Sequence, residues 1–116
     1  MLAVLVAVMA CACSSKEPKI EENIYPTDYK AQIVKQMRLQ SEYRLNLRDA
    51  YVAPPLMKAY QSAAPRYISC IRFTVKDDRK EMAAFFFSGG ITQIVDAPPE
   101  LCATAAYEPF PDLQKL

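Results

Sequence analysis

The chain opens with an unbroken apolar run, residues 1–10, and turns polar soon after Cys11-Ala12-Cys13. A run of this length is too short to cross a bilayer, which takes about 20 apolar residues in a helix. With small residues at its end, it fits the apolar region of an export signal. Residues 14–23 are mostly Ser, Lys, Glu and Asn around Pro18, and read as a flexible tether. Helical spacing begins after Pro26. Tyr29, Ile33 and Met37 fall on one stripe with Val34 beside it, while Lys30, Lys35 and Arg38 fall elsewhere, which predicts a helix over 27–42. Thr27 or Asp28 stands where a side-chain oxygen can accept from the first free backbone N–H groups.

Beyond the helix the pattern turns to strands. Residues 45–53 alternate weakly and stop at Pro54-Pro55, which cannot continue a ladder, so a short edge strand is expected. Residues 56–63 predict a helical turn before Pro65. Residues 67–75 are rich in β-branched and aromatic side chains and predict a strand, followed by a charged turn over 76–80. The segments 82–87 and 91–95 flank Ser88-Gly89-Gly90, a tight hairpin signal. The tail over 98–116 holds four prolines and predicts no regular element. The expected fold is α+β: one N-terminal helix packed on a small antiparallel β-meander, with the proline-rich C-terminal tail crossing the sheet.

Strand parity sharpens this expectation. Tyr67, Ile71, Phe73 and Val75 share one face, which the helix covers; Ile68, Cys70, Arg72 and Thr74 share the other. Phe85, Phe86 and Phe87 supply both faces. Leu101, Cys102, Tyr107, Phe110 and Leu113 are the cover expected for the second.

Composition narrows the function. Fourteen Lys and Arg against thirteen Asp and Glu leave no basic excess for neutralising phosphates, so no nucleic-acid partner is expected. The chain has no histidine, which removes the commonest general base and the commonest zinc ligand. Two glycines provide no phosphate-cradling loop. Asp77-Asp78 with Arg79-Lys80 reads as a solvated turn, and Glu21-Glu22 as part of the tether. Ser69 and Ser88 have no base to activate them. No catalytic residue, metal site or cofactor is therefore expected.

Val8-Met9-Ala10-Cys11 resembles the lipobox of exported bacterial lipoproteins, an aliphatic residue, a variable one, a small one and then cysteine. Ala10-Cys11-Ala12-Cys13 is a second, poorer match. The resemblance implies a diacylglyceryl group on the Cys11 thiol, alternatively Cys13, and cleavage just before it. Three acyl chains at the new N-terminus are ample for stable anchoring, at about 0.8 kcal/mol per buried methylene. The division implied is a signal peptide over 1–10 (to 12 if Cys13 is modified), a lipidated N-terminus and tether over 11–25, and one domain over 26–116. Neither cysteine is followed by Asp, which favours the outer membrane, with the domain facing the periplasm. In that oxidising compartment Cys70 and Cys102 are expected to pair as a disulfide.

The segment from Tyr107 to Leu113 alternates prolines with large apolar residues. Tyr107, Phe110 and Leu113 are candidates for docking in a partner's groove, or else cover the molecule's own sheet. Tyr29-Lys30 and Ile33, Arg48-Asp49-Ala50, a strand bearing Cys70, the second Cys102 and the Tyr107 to Leu113 ending together resemble small, uncharacterised lipoproteins of alphaproteobacteria. That resemblance implies a family and no activity. The expected role is a non-enzymatic binding or scaffold module that recruits an envelope protein or cell-wall component. The alternative is an inhibitor of an envelope hydrolase such as a lysozyme or protease. It would insert a loop from 46–55 or 76–80. An enzyme of unknown type is the third reading.

Overall fold

In a computed structural model of the chain, residues 23–40, 46–61 and 64–116 are described. The export-signal region, Cys11, Cys13 and most of the tether lie outside them. The described residues form one helix, α1 (Tyr29–Leu39), and six strands. These are β1 (Leu47–Val52), β2 (Leu56–Lys58), β3 (Arg66–Val75), β4 (Asp78–Phe87), β5 (Gly90–Asp96) and β6 (Glu108–Pro109), with a 3-10 helix (Pro111–Lys115) at the end. All strand pairs are antiparallel, in the order β5-β4-β3-β1-β6, with β2 also paired to β3. The fold class is α+β.

α1 buries Ile33 and Met37 completely, as their four-residue spacing requires. Its start is not capped by a side chain: the Asp28 carboxylate instead accepts from Gln32 Nε2 at 2.7 Å. The Tyr29 N–H donates to the Pro26 carbonyl, so a turn at buried Pro26 leads into the helix.

β1 and β2 lie end to end along one edge of β3 because Pro54 and Pro55 have no N–H to continue the ladder. Between the Val52–Ile71 and Leu56–Ile68 pairs, three residues (Ala53, Pro54, Pro55) face two (Cys70, Ser69). The mismatch leaves the Ala53 carbonyl off the ladder, and the fully buried Ser69 hydroxyl donates to it at 2.6 Å. A second register shift lies between Arg48 and Tyr51, where Asp49 takes a positive φ of 48°. There the peptide groups of Ala50 serve the chain's end. Its carbonyl accepts from the Phe110 N–H (2.8 Å) and its N–H donates to Gln114 Oε1 (2.9 Å).

Several expectations need correction. The 56–63 segment contributes strand β2 at its start rather than a helical turn, since its residues find partners on β3. β1 is not an edge strand, because β6 pairs along its outer side. The turn after β3 is only Lys76-Asp77; Asp78, Arg79 and Lys80 already pair with Val75, Thr74 and Phe73. The hairpin expected at Ser88-Gly89-Gly90 forms with a loop of Ser88-Gly89 alone, both at positive φ, since Gly90 already pairs with Phe87. Asn23, Ile24 and Tyr25, expected in the tether, lie against the domain: Asn23 Nδ2 donates to the Pro65 carbonyl and Tyr25 meets the Tyr67 ring.

The sheet carries a core on each face. On the helix side Phe73, Phe86, Ile71 and Val52 pack with Ile33 and Met37. On the other side Ile68, Cys70, Ala83 and Phe85 pack with Leu101 and Cys102. The parity of β3 is as its sequence predicts.

Candidate binding surface

The second face is covered by the segment that follows β5. Cys70, at the middle of β3, and Cys102 have Sγ atoms at disulfide distance, 2.04 Å, with Cα atoms 5.9 Å apart. Both are buried, among Ile68, Ala83, Phe85 and Leu101. Lys58 adds a second tie by donating through Nζ to the Leu101 carbonyl at 2.7 Å. From this anchor the chain runs to Tyr107, packed on the same face.

Tyr107 completes a cluster that the strand register begins. Arg72 on β3 stands opposite Tyr51 on β1 and Glu81 on β4, so all three side chains share the face away from the helix. The Arg72 guanidinium carbon lies 5.0 Å from the Tyr51 ring centre and 4.2 Å from that of Tyr107, within cation–π range of both. Tyr107 is fixed in turn: its hydroxyl donates to the Glu81 carboxylate at 2.6 Å. The Arg72 Nε is buried and has no hydrogen-bond partner. Among the described residues the ion pairs are Lys30–Glu108 and Lys115–Asp112; the carboxylate opposite Arg72, Glu81, is taken up by the Tyr107 hydroxyl. Arg48 and Arg79, both exposed, flank it through the Arg48–Thr74–Arg79 row of the sheet. At the same end a cleft of about 590 Å³ is lined by Arg48, Lys76, Asp77 and Gln114. This constellation holds a half-buried guanidinium against two tyrosine rings, with its Nε buried.

Burial, and then the hydrogen bond and charge of Glu81, push the Tyr107 phenol well above its ordinary range. A raised pKa in the folded state means that stability is complete below about pH 10, where a free tyrosine ionises, and falls as pH rises beyond it. The melting temperature is therefore expected to drop through the alkaline range, and less steeply in Tyr107→Phe. Equal slopes for the two proteins would contradict this. Tyr29, raised by burial and then by Glu108, contributes in the same direction.

The chain matches no family model, curated protein or solved structure. Among the described residues no group of three or more His, Cys, Asp or Glu is placed to hold a metal ion. Among them, too, no helix is long and apolar enough to cross a membrane. A second cleft, about 640 Å³, is lined by Lys58, Tyr60, Glu100 and Leu101 with their neighbours and holds one acidic side chain.

Of the residues singled out from sequence, Cys70, Cys102 and Tyr107 meet on this face. Phe110 and Leu113 do not. They are 1% and 0% exposed in the helix-side core, because β6 carries the tail around the edge of β1. Neither is free to enter a partner's groove or to cover the second face. Of the two segments considered as inhibitory loops, 47–52 is β1 and 78–80 opens β4, which leaves 53–55 and the Lys76-Asp77 turn outside the strands. Arg72 and Tyr51 belong to no motif visible in the sequence. The signal available was a charged residue sharing a strand face with Cys70.

Proposed function

We propose that this protein is an exported lipoprotein fixed to a membrane leaflet, the outer membrane by preference, through Cys11 or alternatively Cys13. Its domain faces the periplasm as a non-enzymatic binding module, and the Arg72 platform is the surface that recruits an envelope protein or cell-wall component bearing carboxylates. The lipobox resemblance supports the anchor. The observation that carries the binding role is Arg72 itself, held against Tyr51 and Tyr107 while still partly exposed.

The physical case is preorganisation. A guanidinium already held by two rings gives up little rotamer freedom on binding, and its planar fork matches a carboxylate. Tyr and Arg are the residue types that dominate binding energy at interfaces. Arg48 and Arg79 add a local positive field that steers an anionic partner and fixes its orientation.

Truncating such an anchor costs at least about 2 kcal/mol, or roughly 30-fold in affinity. Cosedimentation with purified cell-wall sacculi and photo-cross-linking in intact cells from a probe at Thr74 provide the test. Arg72→Ala is expected to cut the yield of the responding assay by more than about tenfold, with Arg72→Lys intermediate because it keeps charge but loses the fork. Unchanged yields from a stably folded Arg72→Ala protein would refute the assignment.

A further inference from the structure

The described chain enters at the opposite end of the sheet from the Lys76-Asp77 turn. There Ile24 packs over Gly89, its Cγ2 lying 3.6 Å from where a Cβ on that glycine would stand. Tyr25 meets Tyr67 edge-on, with ring centres 5.2 Å apart. Around this entry point lie Ile24, Tyr25, Leu56, Met57 and Phe87, each between 40% and 57% exposed. They are five of the six exposed large hydrophobic residues of the described chain, the sixth being Leu39. Strand pairing explains why they gather. Leu56 and Met57 stand beside Ile68 and Tyr67 at the start of β3, and Phe87 ends β4 at the same margin. Exposed apolar residues scattered singly are ordinary; a collected rim is not. Arg66 joins it, its guanidinium 5.3 Å from the Phe87 ring centre and its Nε buried without a hydrogen-bond partner.

We infer that this rim is the membrane-facing surface of the domain, seated at the headgroup and acyl boundary of the bilayer that holds the anchor. The inference rests on the lipoprotein reading above. Chain length carries it. Residues 12–22, eleven in all, separate Cys11 from Asn23, and nine separate Cys13 from it. Eleven residues span at most about 40 Å, and as a random coil about 18 Å. Asn23 is held at the rim by its bond to Pro65, so the anchor brings this end, before any other part of the domain, to the lipid surface. The chemistry fits the place it reaches. Tyr and Phe favour the membrane interface, and an arginine there lays its stem on apolar surface while its fork pairs with a lipid phosphate. β3 then acts as a spacer. Six residues from Arg66 to Arg72 rise about 20 Å, which lifts the Arg72 platform clear of the headgroups.

The chain contains no tryptophan, so one introduced residue is a lone emitter. Full-length acylated protein carrying Phe87→Trp, and separately Asp77→Trp in the far turn, is reconstituted into phosphatidylethanolamine–phosphatidylglycerol vesicles. Emission is compared with and without bromine on the acyl chains. The expected result is at least twofold quenching of the Phe87→Trp protein by brominated lipid, and none for Asp77→Trp. Met57→Trp, on the other side of the rim, reports independently and is expected to follow Phe87→Trp. Anchored protein with neither rim position quenched would overturn the orientation while leaving the anchor intact. Rim emission that responds to protein density and not to bromine would assign the rim to a second copy instead. Protein that carries no acyl mass and fails to sediment with the vesicles would overturn the lipoprotein reading, and this inference with it.

Discussion

Replacing Cys70 and Cys102 together with alanine is expected to destabilise the domain by about 3 to 4 kcal/mol, since the bond closes a loop of some 32 residues. For a domain of this size that lowers the melting temperature by more than about 10 °C. The cost is chiefly conformational. Without the bond, the unfolded chain regains the freedom of the whole 70–102 loop. The folded chain then holds that segment by the packing of Leu101, Ala105 and Tyr107 and by the Lys58–Leu101 and Tyr107–Glu81 hydrogen bonds. The same loss loosens the segment that leads to Tyr107, which Glu81 and β6 still hold, so binding at the platform is expected to weaken less than stability. Intact mass checks the premise: protein purified without reductant gains two hydrogens when dithiothreitol is added. A mass that does not change would remove the cross-link.

Phe110→Ala is expected to cost about 3 to 5 kcal/mol, in the range for truncating a large buried aromatic. The ring is buried in the helix-side cluster that includes Ile71, Phe73 and Leu113, and its backbone N–H is bonded to Ala50, so the hole has little means of collapsing. Urea titration reads this directly as a lower midpoint with an unchanged slope. The result separates two readings of the tail. A docking peptide would lose partner binding and keep its stability on Phe110→Ala; a core segment loses stability first.

How far the fold could be read from sequence depended on whether a local pattern decided each element. α1 has an apolar stripe long enough to show its period, and the alternation along β3 fixed which residues face the helix. Ser88-Gly89 has turn chemistry of its own. By contrast, β2 is three residues with no period to detect, and it is a strand because Tyr67 and Ile68 offer it partners. Asp78, Arg79 and Lys80 look like a turn by charge, yet they pair because Lys76-Asp77 alone reverses the chain. The tail was hardest to read. Its path around β1 depends on a bulge at Asp49 that turns the Ala50 peptide groups outward, a feature encoded more than fifty residues away from Phe110. The binding platform was half visible. Arg72 shares its face with Cys70 by parity, but the tyrosines that clamp it come from β1 and the tail, and only the tertiary fold unites them.

The anchor is tested most directly by the mass of the mature protein's N-terminal peptide, extracted with detergent from the membrane fraction. The account requires a peptide beginning at Cys11, or at Cys13, that bears a diacylglyceryl thioether. An unmodified peptide that still begins at Met1, recovered from the soluble fraction, would contradict it.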